Sequence, residues 1–267
     1  MITKDSVIKQ LLTTLILAFS LSLSNYAIAC GLLPGYKLSK GVSWGELCDF
    51  NEGLASAQKD GKYGFIDKQA NIIVPFSYNF TAEFSEGLAI VKKNEHHGYI
   101  NKKNQVIIPI IYDDVRPFSE SKAAVEYEGK WGVINDTGEL TIQYQFDEIR
   151  YFSEGLAPVR KDELWGYIDS SGKTVVPLNY LNAGSFHNGL AVVVKENGYG
   201  MINKDNKIIV PTEYDMPIFT GNDYIDTFKF MKGNNFYYFD SQGNLLAVSN
   251  YLDTTPKMIR VRQILKQ

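Results

Sequence analysis

Phe84-Ser85-Glu86-Gly87-Leu88-Ala89-Ile90-Val91, then His97-Gly98-Tyr99-Ile100-Asn101, then Val106-Ile107-Ile108-Pro109 and Tyr112-Asp113 make up one block that the chain repeats. Phe50, Phe84, Phe118, Phe152 and Phe186 open its five copies at a constant spacing of 34 residues, with no residue gained or lost between them. A fixed period of this length signals supersecondary units that cannot bury their apolar face alone and build a continuous core by stacking.

Comparison of the copies separates what the unit needs from what it leaves free. Ala55, Ala89, Ala123, Ala157 and Ala191 hold one phase of a first strand, and Ala57, Val91, Val125, Val159 and Val193 follow two residues on, so this face is expected to be core. The opposite phase varies through Ser56, Ile90, Ala124, Pro158 and Val192. Pro158 cannot donate to a ladder, which predicts that this strand lies at an edge or turns that position outward. A second strand carries an aromatic-glycine pair: Tyr63-Gly64, His97-Gly98, Trp131-Gly132, Trp165-Gly166 and Tyr199-Gly200. The constant glycine predicts close approach of a ring or another backbone. Asp67, Asn101, Asn135, Asp169 and Asn203 then begin a turn, with Ala70, Asn104, Gly138, Gly172 and Asn206 three residues later. A type I turn followed by a left-handed residue fits all but Ala70. A β-branched third strand ends at Pro75, Pro109, Pro177 and Pro211, with Gln143 in the middle copy, and Tyr78, Tyr112, Phe146, Tyr180 or Tyr214 closes each unit.

Aromatic-Gly-Tyr-Ile-Asp, a turn, Val-Ile-Pro and Tyr-Asp, preceded by Phe-x-Glu-Gly-Leu-Ala, resemble the bacterial WG-repeat family over residues 50–219. The resemblance implies a β-repeat scaffold for interaction and brings no catalytic motif. Only Trp131-Gly132 and Trp165-Gly166 hold the pair itself, which implies that ring bulk matters more than the indole N–H. The expected fold is all-β, tandem β-meander repeats (50–83, 84–117, 118–151, 152–185, 186–219) in an open twisted array or solenoid, with a closed β-propeller as the alternative. The open form is preferred because the unit shows three clear strands where a propeller blade has four.

Residues 220–267 read as a degenerate sixth repeat and cap: Phe228-Lys229-Phe230 resembles a first strand, and Tyr237-Tyr238-Phe239-Asp240-Ser241-Gln242-Gly243 an aromatic strand with its turn. Thr255-Pro256 followed by Met258, Ile259, Val261, Ile264 and Leu265 predicts a short C-terminal helix. At the other end, Lys4 and Lys9, the apolar Leu11 to Leu23 and Ala27-Ile28-Ala29 predict a signal peptide over 1–29. The expected location is periplasmic or secreted. Residues 30–49 form a leader holding both cysteines, Cys30 and Cys48. Two readings stand: a Cys30–Cys48 disulfide pinning the edge of the array, or a lipobox at Ala27-Ile28-Ala29-Cys30 that makes Cys30 the lipidated first residue of an outer-membrane lipoprotein. Loss of Lys4, Lys9 and Asp5 with the leader changes the net charge from −3 to −4. With no concentrated basic stretch in the repeats, nucleic acid is not an expected partner.

Candidate chemistry is sparse. Gly41-Val42-Ser43-Trp44-Gly45 matches the G-x-S-x-G string, but that elbow works on a strand-to-helix turn of an α/β sheet, which this context does not offer. His96 and His97 are neighbours on opposite faces of a strand, and His187 lies far off, so no metal set is expected. Ser-Glu before Gly-Leu-Ala recurs in several units, which argues for turn chemistry over catalysis. Asp113, Asp147 and Asp215 would align in a stack, but too sparsely for a calcium roll. No catalytic, cofactor or metal residue is expected. The functional expectation is a non-catalytic exported scaffold for a protein or envelope component. The alternative is a carbohydrate- or peptidoglycan-binding module using the abundant Tyr and Trp rings.

Overall fold

The computed structural model describes residues 50–218, 227–250 and 259–260, which form strands and turns with no helix among them. Between Ile111 and Tyr112 the chain divides into two compact units.

The first unit holds β1 (Leu54–Lys59), β2 (Lys62–Asp67) and β3 (Ile72–Tyr78) in one antiparallel sheet, then β4 (Phe80–Ser85), β5 (Leu88–Lys93), β6 (His96–Asn101) and β7 (Val106–Tyr112) in a second. The unit from Tyr112 onward holds four more sheets, each a meander in chain order. Their strands are β8 (Asp114–Val115), β9 (Lys122–Tyr127), β10 (Lys130–Asn135) and β11 (Leu140–Phe146); β12 (Glu148–Ile149), β13 (Leu156–Lys161), β14 (Leu164–Asp169) and β15 (Thr174–Tyr180); β16 (Asn182–Ala183), β17 (Leu190–Lys195), β18 (Gly198–Asn203) and β19 (Ile208–Tyr214); and β20 (Met216–Ile218), β21 (Thr227–Lys232), β22 (Asn235–Asp240), β23 (Leu245–Asn250) and β24 (Ile259–Arg260). None of these sheets closes on itself.

Two expectations are corrected here. The unit has four strands, not three, because the residues after the closing aromatic pair with the next first strand, as Asp114 does with Glu126 and Val115 with Val125. A two-residue strand is too short to show a period-two pattern. The strand count that favoured an open array therefore does not hold for a sheet. Secondly, Ile259 and Arg260, inside the stretch expected as a helix, pair with Val248 and Ala247 as a strand. The alternation of Ile259 and Val261 with Arg260 and Arg262 is a strand pattern. The remainder of 255–267, like residues 1–49 with Cys30, Ser43 and Cys48, lies outside the described residues.

Both faces of the first long strand are buried in the second, third and fourth repeats, including the phase expected to be free: Ile90, Ala124 and Pro158 are buried like the alanines beside them, while Ser56 and Val192 in the first and fifth are half-buried. The cause is stacking of successive sheets. In the first unit Phe65, Val74 and Tyr78 of one sheet pack on Phe84, Ala89, Val91 and Ile100 of the next. In the second unit Trp131, Val133, Ile142 and Phe146 meet Ile149, Phe152, Ala157 and Val159, and Trp165, Tyr167, Val176 and Tyr180 meet Ala183, Phe186, Ala191 and Val193. Small side chains at the alanine positions let the larger ring-bearing face of the preceding sheet sit close. Pro158, expected at an edge or with its N–H position turned outward, takes the second course within an inner strand: its carbonyl accepts the Arg150 N–H at 3.0 Å, and its missing N–H is the other half of that reciprocal pair, where the ladder to β12 stops.

The turns follow from residue chemistry. Glu154 and Gly155, at φ 55° and 85°, form a two-residue hairpin closed by bonds exchanged between Ser153 and Leu156. Positive φ at both central positions is the type I′ signature, matched to the twist of the strands. The Asx turns form as expected: the Asp67 Oδ1 accepts the N–H groups of Gln69 and Asn71, and the same pattern recurs at Asn101, Asn135, Asp169 and Asn203. Ala70 takes the left-handed position with φ 61° like its sister residues, despite its Cβ. That conformation costs an L-residue roughly 1–2 kcal/mol. Ala70→Gly should therefore raise stability by about 0.5–1 kcal/mol, net of the added unfolded-state entropy. A denaturant midpoint that stays put or falls in Ala70→Gly contradicts this.

Candidate interaction surface

The aromatic-glycine pairs lie where the second strand meets a bulge in the third. Trp131 pairs with Phe146 and Val133 with Ile142, so the third strand uses four residues where the second uses two; Tyr63, Trp165 and Tyr199 repeat the pattern. The displaced backbone falls onto the glycine. A Cβ on Gly166 would stand 2.5 Å from the Val176 carbonyl oxygen and 2.8 Å from the Pro177 carbonyl carbon; Gly64 and Gly200 meet the same atoms of their own repeats, Gly98 meets the Pro109 oxygen at 2.6 Å and the Ile108 oxygen at 2.8 Å, and Gly132 meets the Ile142 oxygen at 2.7 Å. The approach is thus between two strands of one sheet.

The rings differ in burial. Trp131 and Trp165 are buried, whereas Tyr63, His97 and Tyr199 are half-buried. Each Trp is covered by a guanidinium, with the Arg116 Cζ 4.3 Å from the Trp131 ring centroid and the Arg150 Cζ 4.2 Å from that of Trp165. Such stacking adds a cation–π attraction to the burial, and it covers the indole faces against a sugar. The arginine precedes its Trp by the same interval in both copies, while Ala82 and Gly184 stand there in the His97 and Tyr199 copies. This co-occurrence was visible in the aligned repeats.

The Ser-Glu turns join neighbouring repeats. The Glu154 carboxylate accepts the Gly189 N–H at 2.9 Å and faces Lys204 Nζ at 3.1 Å, and the same ammonium donates to the Glu154 carbonyl. Glu52 repeats this with Gly87 and Lys102, and Glu120 accepts the Gly155 N–H. Ser119 and Ser153 donate to the carbonyls of Phe152 and Phe186. Turn chemistry is therefore also the chemistry of repeat-to-repeat attachment. The three aspartates of the supposed ladder cap hairpins of their own sheets: Asp113, Asp147 and Asp215 accept the N–H groups of Glu128, Asp162 and Gly233.

These contacts carry a pH dependence. The Gly87 N–H, together with Lys102, lowers the Glu52 carboxyl below its ordinary 4.5 against the opposing effect of burial. Burial raises that of Glu154, and Lys204 and the Gly189 N–H outweigh it, leaving this carboxyl lowered too. A carboxyl depressed in the folded state stabilises it above the ordinary value and loses that contribution as pH falls through the folded one. Glu154→Gln should therefore flatten the acid limb of a stability-against-pH curve; an unaltered slope between wild type and variant counts against the attachment role.

The third repeat departs from its sisters on its outer side. Gln143 stands for Pro75, Pro109, Pro177 and Pro211; Tyr127 stands for Lys59, Lys93, Lys161 and Lys195; and Thr141 stands for Ile73, Ile107, Val175 and Ile209. Thr141, Gln143 and Gln145 are exposed, and so is Tyr127 at 39%. Tyr127 lies against Tyr144, with ring centroids 5.7 Å apart, and Tyr144 shares a hydrogen bond with Tyr112. Burial, then the neighbouring Tyr112 and Tyr127, pushes the Tyr144 phenol up to about 12. It stays a neutral donor at any physiological pH. Among the described residues no group of three or more His, Cys, Asp or Glu side chains gathers as metal ligands, and no helix is long and apolar enough to cross a membrane.

The comparisons with known proteins bear on this geometry. No curated protein matches the sequence significantly. A crystal structure of a eukaryotic initiation factor is similar with a TM-score of 0.53 at 10% identity, over 78% of this chain and 66% of the other. The C-terminal WD40 domain of Sif2 gives 0.44 at 11% identity over 70% and 64%, and apo AztD from Citrobacter koseri 0.46 at 11% over 76% and 70%. The chain spans just under two thirds of the length of the first two, and at these identities the first likeness is one of fold alone. The family described as WG containing repeat matches residues 48–63, 63–95, 98–131, 131–165, 165–199 and 199–216. Its matches meet at or beside the aromatic-glycine pairs, where each bulge and its glycine recur, and this chain belongs to the WG-containing-repeat family.

Proposed function

We propose that this chain is an exported, non-catalytic scaffold that binds another protein or an envelope component through the exposed side chains of its outer strands. The observation that carries the reading is how the recurring polar side chains are used. Asp113, Asp147 and Asp215 cap hairpins, Glu52, Glu120 and Glu154 tie adjacent repeats, and Arg116 and Arg150 cover tryptophans, so the repeated polar chemistry serves the frame. What varies without cost to the frame is the exposed phase of the third strands, from Ile73 and Pro75 to Thr141 and Gln143. Export rests on the leader at 1–29, with the periplasm or the cell exterior as destination and an outer-membrane anchor at Cys30 as the alternative.

Crosslinking in intact cells, followed by identification of what is joined to the chain, tests the binding role. The expected result is a discrete partner in the envelope fraction, lost when the outer residues of the third repeat are exchanged. N-terminal sequencing and intact mass of the recovered chain test export and distinguish a plain Cys30 from a lipidated one. Recovery from the cytosol with residues 1–29 still attached overturns the exported reading.

A further inference from the structure

We propose that β11, the outer edge strand of the third repeat, pairs with β11 of a second copy of this chain in an antiparallel two-fold contact centred on Gln143. β11 ends its sheet in the order β11-β10-β9-β8, so among the described residues no strand pairs with the other side of its backbone. What a sheet edge can do depends on which groups point outward. In every repeat the atom closest to the aromatic-pair glycine, or among the closest, is the carbonyl oxygen before the proline position: Val74, Ile108, Ile142, Val176 and Val210. In a trans peptide the C=O and the following N–H are antiparallel. An N–H on the next residue therefore points away from the second strand, toward the open side of the sheet.

Four repeats delete that donor with Pro75, Pro109, Pro177 and Pro211, and the third alone keeps it, on Gln143. A proline is a standard guard of an exposed edge. At this edge it is gone, and Tyr127, which lies against Tyr144 of β11, stands where the sister repeats have Lys59, Lys93, Lys161 and Lys195.

The exposed residues also fit themselves. A two-fold axis at Gln143 sets Gln143 against Gln143 and Thr141 against Gln145, so the exposed residues within β11 face each other uncharged, while Glu139 meets Asp147 just beyond each end of the strand. The acids at the ends are already engaged: Asn135 donates to Glu139 at 2.8 Å, and Lys130 holds Asp147 at 2.6 Å. A self-complementary patch on a two-fold axis is the commonest basis of a homodimer. The contact is short and the strand is bent by its bulge, so the association is weak and concentration-dependent. This inference is independent of what the scaffold binds elsewhere.

Sedimentation velocity on the purified chain over a concentration series tests it. The wild type is expected to pass from monomer to dimer, and Gln143→Pro to weaken that association by at least about tenfold. Four sister repeats fold with proline at this position, and an unchanged far-ultraviolet circular dichroism spectrum confirms that the variant does too. Gln143→Lys places two ammonium groups across the axis, so it should dissociate the dimer at low salt and recover part of it at high salt. A wild type that stays monomeric throughout, a Gln143→Pro protein that dimerises like the wild type, or a Gln143→Lys protein insensitive to salt overturns the proposal. A foreign strand occupying this edge would show itself as the first of these outcomes.

Discussion

Trp131→Ala is expected to lower the stability of the second unit by about 3–5 kcal/mol, the range for truncating a buried aromatic ring to a methyl group. Trp131 is 4% exposed and joins Val133, Ile142 and Phe146 of its own sheet to Ile149, Phe152 and Ala157 of the next, so its removal opens the layer between two sheets. Arg116 adds to the loss, since its guanidinium stacks on the indole and would lose that face. Trp131→Phe should recover most of the effect, because sister repeats work with Tyr63, His97 or Tyr199 at this place. Since neighbouring repeats share their interfaces, the change should broaden or split the calorimetric transition as well as lower it. An unmoved transition in Trp131→Ala would remove the rings from the core and give them to a ligand.

Gly166→Ala is expected to cost about 3 kcal/mol, the upper end for overpacking, although it adds a single methyl group. The new carbon would lie 2.5 Å from the Val176 oxygen, 2.8 Å from the Pro177 carbonyl carbon and 2.9 Å from the Leu178 nitrogen, all of them backbone atoms that move only with the strand. Gly132→Ala should cost less, because two of its three closest neighbours are the side chains of Tyr144 and Leu140, which can rotate aside. Chemical denaturation of the two variants gives the comparison. Equal losses would mean that the bulge itself yields, and a neutral Gly166→Ala would mean that the third strand does not lie on the glycine.

Much of this was legible in the chain. The five phenylalanines at constant spacing, the alanine and valine phase and the Asx-to-Gly turns led to tandem β-meanders, because side-chain alternation and positive-φ turn residues are local properties. The left-handed position at Ala70 was not legible, because its residue type argued against the turn that Asn104 and Gly138 take, and the structure gives it φ 61° all the same. The signature glycine was readable as a close approach, but its partner was not. That partner is set by the bulge, which depends on how many residues the third strand inserts against the second.

The sequence by itself determined the repeat length, the strands long enough to show alternation, the turns and the membership of the repeat family, since each of these is written within a single 34-residue window. Only the tertiary structure decided which contacts cross from one window to the next. It drew the residues after each closing aromatic into the following sheet as a fourth strand, buried the variable phase at Ile90 and Pro158 by stacking, set Glu154 on Gly189 and Lys204, and turned Ile259 and Arg260 from an expected helix into a strand against Val248 and Ala247. The physical reason is common to all four. Burial and hydrogen-bond pairing belong to surfaces made by two segments together, and neither segment's periodicity records the other's position.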